Sequence, residues 1–97
     1  MDKTNNIKNL VNNKAQEIIA KNPGLKIVSG CNIGKYFFEI TLSKKDKYNE
    51  DIEKYIIHNC ITGPDTTDIE VHKLWDWRSG GYWNRSSKEI IRNIKYC

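Results

Sequence analysis

No stretch of this sequence stays apolar for the ~18 residues that a membrane-crossing helix needs. The opening residues Met1-Asp2-Lys3-Thr4-Asn5-Asn6 hold none of the apolar core of a secretory signal. A cytosolic protein without a membrane partner is therefore expected, in the host cytosol if the gene is viral. Cysteine is scarce too: Cys31, Cys60 and Cys97 are odd in number and never stand in C-x-x-C spacing, which gives neither a disulfide framework nor a zinc motif. Reduced thiols fit such a compartment. Gly30-x-x-x-Gly34 lacks the Gly-Lys-Ser/Thr ending that sets a lysine and a hydroxyl on a nucleotide, so a phosphate loop is excluded. Alanine occurs only twice, whereas Ile, Lys and Asn number 14, 13 and 11. Those three residues share A/T-rich codons, as in low-GC bacteria, their phages and plasmids, and several large viruses.

What is present is enough for one folded domain over residues 1–97. A chain this short buries roughly 60 to 70% of the surface it would expose unfolded, which leaves no room for a second core. The hydrophobic share of 38% is spaced periodically, which argues against wholesale disorder, and a monomer or homodimer is expected. Net charge is +4, and its distribution is uneven. Asp65, Asp68, Glu70 and Asp76 stand against Lys73 alone, and then Arg78, Arg85, Lys88, Arg92 and Lys95 stand against Glu89 alone.

The periodicity predicts an α+β domain in the order α-β-β-α-β-(β)-α, with an antiparallel sheet of three to four strands packed against helices. Thr4 caps a first helix whose stripe is Ile7, Leu10, Val11, Ala15, Ile18 and Ile19, and Asn22-Pro23-Gly24 ends it. Strands follow at 25–28 and 36–42, the second with Tyr36, Phe38, Ile40 and Leu42 on one face. Tyr48, Ile52, Tyr55, Ile56 and Cys60 predict a second helix, with His58 at its solvent side or end. Residues 67–77 alternate as a half-buried strand, and Ser79-Gly80-Gly81 permits a tight turn to a short returning strand at Tyr82-Trp83. Ser86-Ser87-Lys88-Glu89 has the form of a capping box, opening a last helix with Ile90, Ile91 and Ile94 on its apolar side.

All three tryptophans, Trp75, Trp77 and Trp83, fall within nine positions, and the only arginines follow at 78, 85 and 92. Tryptophan and arginine dominate binding hot spots. Trp75 and Trp77 fall in line with Ile69 and Val71: Trp75 is expected in the core, and Trp77 fits either the core or the expected partner-binding surface of Trp77, Arg78, Tyr82, Trp83 and Arg85. Arg85, Ser86, Ser87, Lys88 and Arg92 form an alternative anion or nucleic-acid site, where free backbone donors at a helix start would meet basic side chains. A capped helix with a solvated basic face explains the same residues.

Asp68, Glu70, His72 and Asp76 share the polar strand face and offer ligands suited to a divalent metal, yet a solvated strand face explains the same pattern and is the favoured reading, so no metal or cofactor is expected. Nor is an enzyme expected, since neither an acid/base pair nor a cofactor signature stands out. The sequence instead suggests a small non-enzymatic binding protein, of the kind that phages or mobile elements use to bind and modulate or inhibit a host macromolecule. A host protein is the favoured partner, because the 12 acidic residues nearly match the 16 basic ones and leave no long field of one sign. The alternative is a small basic nucleic-acid-binding domain using the same aromatic and arginine patch.

Overall fold

The computed structural model describes the backbone of residues 3–32, 36–77 and 82–96, and the side chains of residues 4–30, 36–74 and 88–96. Among the described residues, one helix, α1 (Lys3–Lys21), precedes five strands: β1 (Lys26–Asn32), β2 (Phe38–Lys45), β3 (Asp51–Ile61), β4 (Thr66–Trp77) and β5 (Tyr82–Lys95). They form one sheet in the order β1-β2-β3-β4-β5, each strand antiparallel to the next. The fold is therefore a five-stranded meander carrying one helix, and the expected three-to-four-stranded sheet under several helices is incorrect.

The first helix is where its stripe requires it, starting one residue ahead of Thr4. Ile7, Val11, Ala15 and Ile18 are buried against the sheet, lying across β2, β3 and β4. The Asn22 side chain ends the helix by donating Nδ2–H to the Ile18 carbonyl at 2.8 Å, which satisfies one of the acceptors left over at a helix C-terminus. Gly24 follows with φ +99°, a backbone conformation that residues with a Cβ rarely adopt.

The sheet face beneath α1 is Phe38, Ile40 and Leu42 from β2, Tyr55, Ile57 and Asn59 from β3, and Thr67, Ile69 and Val71 from β4, all buried. Tyr96 closes the far end. Its N–H donates to the Asp65 carbonyl at 2.9 Å, its hydroxyl to the Pro64 carbonyl at 3.1 Å, and its own carbonyl accepts from Asn6 Nδ2 at 2.8 Å.

Two expected helices are strands, for separable reasons. In 51–61 the spacing of Ile52, Tyr55 and Ile56 fits a helical stripe, but the buried positions are Tyr55, Ile57 and Asn59, a period of two. A buried asparagine at one of them disguises the alternation. The isoleucines and tyrosines favour an extended chain, because β-branched and aromatic side chains lose rotamer freedom in a helix. In 86–94 the disguise is a β-bulge. Thr67 pairs with Ile94 and Ile69 with Ile91, so Arg92 and Asn93 together oppose Asp68, and Asn93 takes φ +53°. The extra residue spaces Ile91 and Ile94 by three on one face, as a helix would.

Candidate functional site

Alternation along β3 and β4 sends every second residue to the face turned away from α1. On β3 these are Lys54, Ile56, His58 and Cys60, and on β4 Asp68, Glu70 and His72, with His58 directly opposite Glu70 and Ile56 opposite His72. Two histidines 14 residues apart thereby meet, His58 Nε2 and His72 Nε2 lying 3.2 Å from each other with the two rings nearly parallel. They are the only histidines in the chain. Glu70 Oε1 lies 3.8 Å from His72 Nε2. All three side chains are half-buried, and they stand within the nine successive pairs that join β3 to β4 without a register shift, the longest such run in the sheet.

From β5, Lys88 reaches across and puts its Nζ 3.1 Å from the same Glu70 oxygen. That hydrogen bond holds the Glu70 carboxyl below its ordinary value, against the opposing effect of burial and with further help from the charges of His58, Lys88 and His72. The carboxylate is thus ionised and already faces a cation. Farther along, Arg92 Nη1 lies 3.8 Å from Asp68 Oδ2, and Asp68 Oδ1 accepts the Asn93 N–H at 2.8 Å.

A second concavity of about 280 Å³ opens between α1 and the other face of the sheet, by Lys14, Glu17, Tyr55, Lys73 and Glu89. Its charges are matched. Lys14 pairs with Glu17 and Glu89, and Lys73 with Glu53 at 3.0 Å, which raises the Lys73 ammonium above its ordinary value chiefly through that hydrogen bond. Nothing in it concentrates reactive groups.

The polar face read from the sequence is only partly what the fold assembles. Asp68, Glu70 and His72 do share it, whereas the side chain of Asp76 lies outside the described residues. His58, expected at the end of a helix, completes the group instead. The signal for it was present: Ile56, His58 and Cys60 alternate with Tyr55, Ile57 and Asn59.

The tryptophan-rich segment is described by its backbone. Trp77 pairs with Tyr82, Asp76 with Trp83 and Leu74 with Arg85, so β4 and β5 run antiparallel up to the aromatic cluster, and the turn expected at Ser79-Gly80-Gly81 lies outside the described residues. Arg78 and the side chains of Trp77, Tyr82, Trp83 and Arg85 lie outside the described residues. Ser86 and Ser87 lie in β5, where no helix begins, so the helix-terminus argument for an anion at 85–88 falls away. Of that set, Lys88 and Arg92 face carboxylates on β4.

Compared with protein-family models, curated proteins and solved structures, the chain matches none. Among the described residues, no helix is long and apolar enough to cross a membrane.

Proposed function

We propose that this is a small non-enzymatic binding protein that engages a partner protein with the end of its β4–β5 hairpin, and that it modulates or inhibits a macromolecule of a host cell as phage and mobile-element accessory proteins do. The observation that carries this reading is the register. Pairing between β3 and β4 ends at Glu53 with Trp75, while pairing between β4 and β5 continues through Asp76 with Trp83 to Trp77 with Tyr82. The aromatic cluster thus occupies a two-stranded end that runs past the last β3 pair, where a partner meets few other elements of the chain. A cytosolic setting suits the proposal, since its partner is intracellular.

The charge pattern on β5 favours protein over nucleic acid. Lys88 and Arg92 stand against Glu70 and Asp68, so these cations are partly neutralised from within the sheet and offer phosphates a weakened field.

The test is affinity capture from a host lysate with and without nuclease, run with wild type and with Trp77→Ala, Tyr82→Ala and Trp83→Ala. Under the proposal a protein partner survives nuclease, and at least one substitution weakens its binding by ~2 kcal/mol or more while the fold is retained. Partners lost with nuclease would favour the nucleic-acid alternative. Single substitutions that all leave affinity within about threefold would remove the hairpin as the contact surface.

A further inference from the structure

We propose that His58, Glu70 and His72 form a binding site for a divalent transition-metal ion of the zinc class, on the sheet face turned away from α1. The site is separate from the hairpin end and does not depend on it. It uses both of the chain's histidines, which alternation and register bring from two strands to a 3.2 Å approach. In a tetrahedral centre with metal–nitrogen bonds of ~2.0–2.1 Å, adjacent ligand atoms stand about 3.3–3.4 Å apart. The two Nε2 atoms, 3.2 Å apart, are within about 0.2 Å of that separation. Glu70 Oε1, at 3.8 Å from His72 Nε2, has a few tenths of an ångström to close, and the three ligand atoms all lie within 4.8 Å of one another.

The surroundings favour the same chemistry. His58 Nδ1 lies 3.4 Å from the Asn59 carbonyl, where an Nδ1–H donor leaves Nε2 as the ligating lone pair. Without metal, one Nε2–H donates to the other Nε2. With metal, that proton moves to Nδ1 of its own ring, so neutral imidazoles release none, and a turn of each ring aims both Nε2 lone pairs at one ion. Two imidazoles and a carboxylate suit zinc, cobalt(II) or nickel(II) rather than magnesium or calcium, which take oxygen donors. Three protein ligands leave a further position for water.

Lys88 is the competing cation. Its ammonium holds the Glu70 oxygen that the metal needs, so metal entry displaces it. Lys88 is exposed, and its removal leaves the three ligands in place. A purely structural histidine–glutamate cluster predicts no gain of metal affinity when Lys88 is lost. A metal site does.

The experiment is a titration of tag-free protein with Zn²⁺ and Co²⁺, read by calorimetry, by the visible spectrum of cobalt and by side-chain ¹⁵N resonances of the two histidines. Expected are one ion per chain, Nε2 resonances of both histidines moving together, no response to Mg²⁺, and at least ~10-fold weaker binding in His72→Ala and Glu70→Gln. Lys88→Gln binds at least about threefold more tightly. Metal-free circular dichroism and thermal melting confirm that each variant is folded, and His58→Gln stands in for any that is not. Histidine resonances that do not move at millimolar Zn²⁺, or affinity that is unchanged in His72→Ala and Lys88→Gln, would overturn the proposal.

Discussion

Asn59 Oδ1 accepts the backbone N–H of Phe38 at 2.7 Å, a side chain of β3 standing in for a strand partner at the start of β2. Its Nδ2 donates to the Tyr36 carbonyl at 2.8 Å and to Thr67 Oγ1 at 3.2 Å, so one buried amide ties three strands' worth of polar groups together under α1. Asn59→Ala leaves a buried donor and acceptors to be satisfied elsewhere and is expected to cost about 3 kcal/mol in urea unfolding. Asn59→Asp keeps the bond from Phe38 but loses both donations and buries a charge. Acidification, which protonates that carboxyl and restores a donor, should narrow the gap between Asn59→Asp and wild type. A stability loss of Asn59→Ala within ~0.5 kcal/mol would show that the amide is not organising the strand start.

Asn93, with φ +53°, offers a backbone test of the bulge in β5. Its N–H is fixed by Asp68 Oδ1 at 2.8 Å, so the conformation is held by a specific bond and not only by strand pairing. Glycine tolerates the left-handed region and a β-branched residue resists it. Asn93→Gly should stay within about 0.5 kcal/mol of wild type, while Asn93→Val should lose about 1–2 kcal/mol. Equal stabilities for the two variants would place Asn93 in an ordinary extended conformation.

These two asparagines also explain why two strands were hidden in the sequence. Helix α1 was legible because Ile7, Val11, Ala15 and Ile18 all turn to one side and all are apolar. The β4 alternation was legible for the same reason, with Ile69 and Val71 facing the core and Asp68, Glu70 and His72 facing away. Hydrophobic pattern fails where the core takes a polar residue, as at Asn59, or where an added residue changes the period, as at Asn93. With 51–61 as a helix, His58 has no reason to lie beside His72, because cross-strand neighbours exist only when the register does. The parts of the site confined to one strand, Glu70 and His72, were visible. The part that needs tertiary pairing was not.

Ala15, fully buried, marks how closely α1 approaches the sheet. A leucine there has no space to occupy without moving the helix or the side chains beneath it, and such overpacking typically costs ~1–3 kcal/mol. Ala15→Leu is accordingly expected to lower the urea midpoint, whereas Gln16→Leu, one position along on the exposed side, should leave it nearly unchanged. If both variants unfold at the wild-type midpoint, α1 is not docked through this stripe.

The pairing of Lys88 with Glu70 gives a dependence on pH whose sign is fixed. The Glu70 carboxyl is lowered from an ordinary value of about 4.5, chiefly by its hydrogen bond from Lys88. A depressed acid contributes stability above its unfolded value and loses it as pH falls through the folded one. With chelator present, wild type should therefore exceed Lys88→Gln by about 0.5 kcal/mol near pH 7, a modest figure because the lysine is partly exposed and screened by water. The difference should vanish well below pH 4.5, where Glu70 is protonated in both proteins. Zn²⁺ should act in the opposite direction, since an ion that binds only the folded chain adds stability that grows with the logarithm of its affinity, and Lys88→Gln binds it more tightly. One substitution that destabilises the metal-free protein and enlarges the stabilisation by zinc separates a lysine competing for a ligand from a lysine that merely decorates a strand. Paired melts of both proteins, with chelator and with Zn²⁺, measure both effects, and parallel shifts in the two would show that Lys88 does not compete with the metal for Glu70.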